Sequence, residues 1–234
     1  MNDPFGLAIK EFYERGKAPQ INVDSNYTEG EEIAPSYFFR NEKELPRIEK
    51  TALKNCKGKI LDVGAAAGCH SLILQKKGYN VTALEKSELA AEVMKKQGIV
   101  KVVHADIFDY HEKQFNTILL LMNGTGIGGN ISGLKKLLAH LKSLLLDGGQ
   151  ILIDSSDIKY LFEEEDGSKW VDLGSTSYYG EMQYEVSFRK SSVKFDWLFV
   201  DFNTLQLVAN ETGLSCKLVE KGDHFDYLAQ LKLQ

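Results

Sequence analysis

From Lys59 to about Ser155, five short apolar runs alternate with stretches of helical periodicity, and that alternation leaves few folds open. The runs are Lys59-Ile60-Leu61-Asp62-Val63, Val81-Thr82-Ala83-Leu84-Glu85, Val102-Val103-His104-Ala105-Asp106, Thr117-Ile118-Leu119-Leu120-Leu121-Met122 and Gln150-Ile151-Leu152-Ile153-Asp154. Read as strands, they form a parallel sheet whose crossovers are the helices between them. The clearest helix carries Ile131, Leu134, Leu137, Leu138, Leu141, Leu144 and Leu145 at a spacing near 3.6, and Gly148-Gly149 stops it. Ser87 is placed to cap a second helix, which bears Leu89, Val93 and Met94 and ends near Gly98.

The flanks follow other rules. Residues 3–15 read as a helix with Asp3 as cap and Pro4 at its first position. Residues 17–36 are polar and irregular and hold the acidic run Glu29-Gly30-Glu31-Glu32. Beyond Asp154, a second acidic run (Glu163-Glu164-Glu165-Asp166) leads into a tyrosine-rich segment. Residues 182–188 and 194–200 alternate around Ser191-Ser192, which predicts a β-hairpin. A helix from about Asn203 to Glu211 and strands at about 216–220 and 227–232 are predicted to complete the sheet.

Composition narrows the function. With 43% hydrophobic and 26% charged residues, and no repeat or low-complexity tract, the chain is a folded domain. Its formal charge of −5, with no basic block, makes non-specific nucleic-acid binding a poor expectation, although a local basic patch is compatible with it. Cys56, Cys69 and Cys216 stand far apart with no CxxC pair, so neither a disulfide framework nor a zinc site is expected. The longest uncharged stretch, Gln114 to Leu134, is broken by five glycines and three asparagines and is not read as a membrane span. The start carries no secretory pattern, and the expected setting is cytoplasmic.

Chemistry concentrates at the carboxyl ends of the strands. Leu61-Asp62-Val63-Gly64-Ala65-Ala66-Ala67-Gly68 runs from a strand through a tight small-residue turn into a helix. Gly64 lets the chain reverse, and the small residues let a ligand approach the helix N-terminus. Taken alone, the turn serves strand–helix packing equally well. Glu85 ends the next strand, 23 residues after Asp62, where a carboxylate can accept hydrogen bonds from both hydroxyls of a ribose. Asp106 ends the third, where a side chain can take the amino group of an adenine.

With these residues the sequence resembles the class I S-adenosylmethionine-dependent methyltransferases, in particular small bacterial ones whose substrates are mostly unassigned. The resemblance rests on Asp62-Val63-Gly64-Ala65-Ala66-Ala67-Gly68, Leu84-Glu85, Ala105-Asp106-Ile107-Phe108 and Leu146-Asp147-Gly148-Gly149-Gln150-Ile151-Leu152, and covers roughly residues 57–157. It implies an α/β, Rossmann-like three-layer sandwich with a seven-stranded, mostly parallel sheet whose last strand is antiparallel. An N-terminal helical segment and an inserted β-hairpin are added to it. It implies one domain divided into a cap (1–56), a cofactor-binding half (57–157), an aromatic hairpin or lid (158–201) and a closing helix with strands (202–234). It also implies that Gly64 to Gly68 pass beside the methionine part, Glu85 holds the ribose, and Asp106 with Ile107 frames the adenine. Asp62, Ala65, His70, Lys86, Asn123, Gly124 and Arg40 complete the expected cofactor set. Ala66 departs from the usual glycine and adds a methyl group near the cofactor.

The acceptor is less defined. Asn123-Gly124-Thr125-Gly126-Ile127-Gly128-Gly129 follows the fourth strand, where the transferable methyl group is expected. It lacks the prolines of the Asn/Asp-Pro-Pro-aromatic motif, so methylation of a base or glutamine amide by that route is disfavoured. His70 reads as a structural hydrogen-bonder as readily as a ligand. His224, Tyr178 and Tyr179 are the candidates for acid–base work, while His104, His111 and His140 receive no role. Arg40 either pairs with the methionine carboxylate or lies on the surface. Tyr37, Phe38, Trp170, Tyr178, Tyr179, Tyr184, Phe195 and Trp197 form either an aromatic wall for the acceptor or the core of an appended hairpin. The expected reaction is methyl transfer to an oxygen or nitrogen of a small molecule, leaving S-adenosyl-L-homocysteine. No metal, nucleic-acid or membrane partner is expected. A nicotinamide-dependent oxidoreductase and a non-catalytic binding protein are the alternatives.

Overall fold

The computed structural model describes residues 2–112, 114–162 and 177–234. The acidic run at 163–166 and Trp170 lie outside them. In chain order the elements are α1 (Pro4–Arg15), β1 (Ile21–Ser25), β2 (Glu31–Ile33), α2 (Arg47–Asn55), β3 (Lys59–Val63), α3 (Cys69–Lys76), β4 (Asn80–Glu85), α4 (Glu88–Lys96) and β5 (Val102–His104). There follow β6 (Phe115–Leu120), α5 (Ile131–Leu144), β7 (Leu145–Ser156), β8 (Glu181–Phe188), β9 (Ser191–Leu198), α6 (Phe202–Glu211), β10 (Leu214–Lys221) and β11 (Asp226–Leu233). Single 3₁₀ turns occur between some of these, including Pro35–Phe39 and Gly124–Gly128.

Seven strands form the central sheet in the order β10-β11-β7-β6-β3-β4-β5. β11, the last in sequence, runs antiparallel between β7 and β10; the β3, β4, β5, β6 and β7 ladders are parallel. Successive residues of each strand enter opposite cores. Ile118, Leu120, Ile151 and Ile153 meet Leu134, Leu137, Leu138 and Leu141 of α5. Leu119, Leu152 and Leu228 meet Ile48 and Ala52 of α2 and Leu74 of α3. Burial on both faces is why these strands are continuously apolar rather than alternating. The predicted caps form as well: Asp3 Oδ1 accepts the Gly6 N–H at 2.8 Å, and Ser87 Oγ accepts the Ala90 N–H at 3.1 Å.

The N-terminal region departs from expectation. Residues 17–36, read as irregular, contribute β1 and β2 to a second sheet ordered β2-β1-β8-β9. The strands are short and mostly polar on one face, and Val23 lies opposite Val186, 163 residues away, so local periodicity was too weak to reveal them. The hairpin turn also differs: it is Arg189-Lys190, with Phe188 opposite Ser191, and Ser191 and Ser192 belong to β9. Arg189 adopts φ +55°, the left-handed conformation such a two-residue turn requires. β5 stops at His104, because Asp106 Oδ1 takes the Phe108 N–H and turns the chain into a short 3₁₀ segment.

The second sheet covers the carboxyl side of the first. Ala8 and Ile9 of α1, Ile21 and Val23 of β1, Val186 and Phe188 of β8, and Ala90 and Val93 of α4 share one core with Phe38 and Ala67. Ala66, Met122 and Phe195 pack against that same core, so the small sheet sits over the glycine turn.

Candidate functional site

The turn after β3 is shaped by its backbone. Gly64 (φ +70°), Ala66 (φ +50°) and Gly68 (φ +85°) are all left-handed, which reverses the chain within five residues. A Cβ on Gly68 would run into Ile99 and Met94, so that position admits only glycine. A Cβ on Gly64 would meet only Ile127, at 3.7 Å, and there it is the φ angle that calls for glycine. Gly64 N–H and Ala65 N–H both donate to the Leu84 carbonyl, at 2.9 and 3.1 Å, fixing the turn to the end of β4. Ala66 holds a conformation that costs a residue with a side chain about 1–2 kcal/mol. Ala66→Gly should therefore raise stability by up to about 1 kcal/mol after the added chain entropy of glycine, without weakening ligand binding. Urea unfolding of both proteins measures this.

Glu85 extends from the end of β4 over this turn. Its Oε2 accepts the Ala66 N–H at 2.8 Å and its Oε1 accepts the Ser87 N–H at 2.8 Å. Burial pushes its pKa up, against the pull of those N–H groups. Asp106 stands at the adjoining strand end with Lys86 Nζ at 2.8 Å, and although partial burial opposes it, that cation holds its carboxyl below the usual range. Ile107 beside it is buried. Asp62 is buried under the turn and accepts the Ser71 hydroxyl at 2.7 Å.

On the other side of the turn lies a buried charged chain. Arg40 Nη2 donates to both oxygens of Glu49 at 3.0 Å, and His70 Nε2 lies 2.6 Å from Glu49 Oε2. The Arg40 side chain is 8% exposed and that of Glu49 5%, so the arginine is not on the surface. Tyr37 stacks on the guanidinium at 3.6 Å, and Arg40 Nε donates to the Tyr37 carbonyl. Burial opposes charge on both His70 and Glu49, yet their neighbours win. Cys69, Glu49 and Asp62 hold His70 well above its ordinary value, while His70 and Arg40 hold Glu49 below its own. Arg40 Nη1 is buried with no partner among the described residues.

The loop after β6 packs beside this turn, with Met122 and Ala66 against one core and Ile127 near Gly64. Met122 and Asn123 are left-handed (φ +66° and +64°), and Asp154 at the end of β7 accepts the Met122 and Gly124 N–H groups at 3.1 and 3.0 Å. Asn123 Nδ2 is buried without a partner among the described residues. Trp197 of β9 lies flat against Gly126, where any side chain would collide with its indole.

Asp62, Gly64, Ala65, Ala66, Gly68, Glu85, Asp106, Asn123 and Gly124 thus stand at or just past the carboxyl ends of β3, β4, β5 and β6, with Lys86 paired to Asp106, Ile107 buried beside it, and Arg40 and His70 joined through Glu49. The three acid–base candidates have other surroundings. Tyr178 donates its hydroxyl to Asp201 at 2.7 Å, and Tyr179 to Asp157 at 2.7 Å. Burial pushes the Tyr178 phenol up to about 12, and Tyr179 higher still. His224 is exposed in the loop before β11. Sequence reasoning missed Asp154 and Glu49. Asp154 bore the same signal as Glu85, an acid at a strand end, whereas Glu49 is one of many glutamates on amphipathic helices.

Among the described residues no helix is long and apolar enough to cross a membrane, and no group of acids, histidines or cysteines has the arrangement of a metal site.

Known proteins fit this geometry. The family profile described as tellurite resistance protein TehB matches residues 34–125. A 75-residue stretch, 31% of this chain, is 36% identical to the 23S rRNA (uracil(747)-C(5))-methyltransferase of Pyrococcus horikoshii; it spans only 18% of that protein. The CcbJ methyltransferase of Streptomyces caelestis superposes with a TM-score of 0.60 over 80% of this chain and 94% of its own, at 16% identity, and shares the fold. An S-adenosylmethionine-dependent methyltransferase from Bacteroides fragilis, solved in complex with S-adenosyl-L-homocysteine, superposes with a TM-score of 0.93. It is 41% identical, over 99% of this chain and 95% of that one. With that identity over its whole length, and the strand-end acids around a left-handed turn, the chain belongs to the S-adenosylmethionine-dependent methyltransferases.

Proposed function

We propose that the protein moves a methyl group from S-adenosylmethionine to an oxygen or nitrogen of a small-molecule acceptor and releases S-adenosyl-L-homocysteine. The observation that carries this reading is the Glu85 carboxylate held over the left-handed turn by the Ala66 N–H, with Asp106 at the next strand end. Glu85 retains lone pairs for two ribose hydroxyls. Asp106 and Ile107 frame the adenine, and Gly64 to Gly68 leave room for the methionine chain. The unpartnered Arg40 Nη1, beside the start of α3, answers the methionine carboxylate. Arg40 Nη1 and Asn123 Nδ2 are two buried donors whose acceptors a bound ligand would supply.

When bound, the cofactor supplies an electrophilic methyl on a sulfonium, so the displacement needs no covalent enzyme intermediate. The protein's share is positioning and exclusion of water. Asp154 fixes the loop of Asn123 against the strand ends, and the sheet bearing Phe195 and Trp197 closes over it. We read the chain as one domain in which β1, β2, β8 and β9 act as the lid over this site. A net charge of −5 favours a small acceptor over RNA, and three cysteines without a disulfide accord with a cytoplasmic setting.

Calorimetric titration of ligand-stripped protein with S-adenosyl-L-homocysteine tests the cofactor assignment, with reduced nicotinamide as control. Micromolar binding of the first alone is expected, and no binding refutes the assignment. Methyl-labelled cofactor incubated with a metabolite extract should then label low-mass material. Label confined to RNA would overturn the small-molecule acceptor.

A further inference from the structure

Near the carboxyl end of β7 stands a carboxylate with no counter-cation among the described residues. Both oxygens of Asp154 are engaged by backbone N–H groups, and among the described residues no lysine, arginine or histidine pairs with it. It is partly exposed. The charged and titratable groups that face it are Glu49 from α2 and Tyr37 from the 3₁₀ turn. Arg40 and His70 already balance Glu49. β11 places Leu228 opposite it.

The turn it holds carries a complementary donor. Ser155 Oγ accepts the Val200 N–H at 2.9 Å and donates to Asn123 Oδ1 at 3.0 Å, which fixes the amide and leaves Nδ2 buried with nothing to bind. Met122 and Asn123 keep a left-handed conformation that this clamp helps to hold, and strain of this kind gathers at functional sites. A carboxylate that can accept a proton thus stands next to an amide that can donate a hydrogen bond. The ligand that matches both presents an N–H beside an oxygen acceptor.

Building on the cofactor assignment above, we propose that the methyl acceptor is a neutral amine with a neighbouring hydroxyl, ether or carbonyl oxygen, and that Asp154 receives its proton. The nitrogen lone pair forms the N–C bond while the C–S bond breaks and its electron pair returns to sulfur, leaving a neutral thioether. The proton then passes from the cationic nitrogen to an Asp154 oxygen, while Asn123 Nδ2 holds the acceptor's oxygen. Burial, opposed by the Gly124 N–H and aided by Glu49, pushes the Asp154 carboxyl up to about 7, so it can take and return a proton near neutrality.

The test uses the intact protein with its aspartate carboxyl carbons labelled with ¹³C and assigned through the backbone. With S-adenosyl-L-homocysteine bound, the Asp154 resonance should titrate near neutral pH. Replacing it with S-adenosylmethionine should lower that midpoint, since a nearby cation favours the charged carboxylate. A midpoint in the ordinary carboxylate range, or one identical with both ligands, overturns the role of Asp154. If the homocysteine compound does not bind at all, it is the cofactor assignment that fails instead. In turnover, amino alcohols and amino sugars should be methylated and the matching polyols not; methylation of polyols alone, or of neither set, overturns the acceptor class. On the amine, Asp154→Asn should lower kcat about a hundredfold and flatten its pH profile, with cofactor affinity unchanged. An unaltered pH profile in the variant would show that Asp154 only clamps the loop.

Discussion

Replacing Glu49 with alanine is expected to destabilise the protein by about 3–5 kcal/mol, the usual cost of removing one member of a buried ion network. Glu49 is bound on one side by Arg40 and on the other by His70, and all three are withdrawn from water. Without it, His70 can shed its proton, but the Arg40 guanidinium remains a buried cation with its Nη2 as unpaired as its Nη1. Chemical denaturation measures the loss. The pH dependence of the parent protein follows from the same contacts. Glu49 lies below its ordinary 4.5, so its contribution is present above that pH and is lost as pH falls through its folded value. His70 lies well above its ordinary 6.5, so its contribution is full below that pH and is lost as pH rises through its folded value. The network therefore stabilises most between roughly pH 4.5 and 6.5. Glu49→Ala should flatten stability on both sides of that window.

The second large effect is on binding. Glu85→Ala should weaken S-adenosyl-L-homocysteine by about 1.5–3 kcal/mol, roughly ten- to more than a hundredfold, as the loss of charge-assisted hydrogen bonds implies. Glu85 also supports the left-handed turn through the Ala66 N–H, so part of the loss will come from a less ordered turn. Glu85→Gln separates the two contributions, because its amide oxygen still accepts the Ala66 N–H while the charge is gone. Affinity that matches the parent protein in Glu85→Ala would remove the ribose assignment.

What the sequence made legible was whatever short-range rules determine. The five central strands and α5 announce themselves because both faces of the sheet are buried, which leaves continuous apolar runs and a leucine stripe of helical period. Gly64, Glu85 and Asp106 were readable because their positions relative to strand ends are set by chain geometry alone. Ala66 was read as an added methyl; its left-handed φ shows that the demand for glycine there is also conformational. Long-range relations stayed hidden. Nothing near Arg40 signals that α2 will bring Glu49 to it, nor that His70 will close the chain from α3. Nothing in residues 21–33 signals a partner in β8. Tyr178 and Tyr179 stood as candidates for acid–base work, yet each hydroxyl is bound to an aspartate that only the fold brings near.

The pairing of Asn22 with Ser187 carries a consequence for how the molecule is made. At about 5–20 residues per second, roughly 8–33 s of synthesis separate these two positions. For that interval β1 has left the ribosome without its neighbour, while β3 through β7 emerge in an order that lets them pair one after another. The lid is thus stitched together by a strand that has waited for most of translation. A protein shortened from the front would have β8 as a bare edge, inviting association between copies. Pulse-labelled chains captured during translation should show β3 through β7 protected from protease well before residues 21–33.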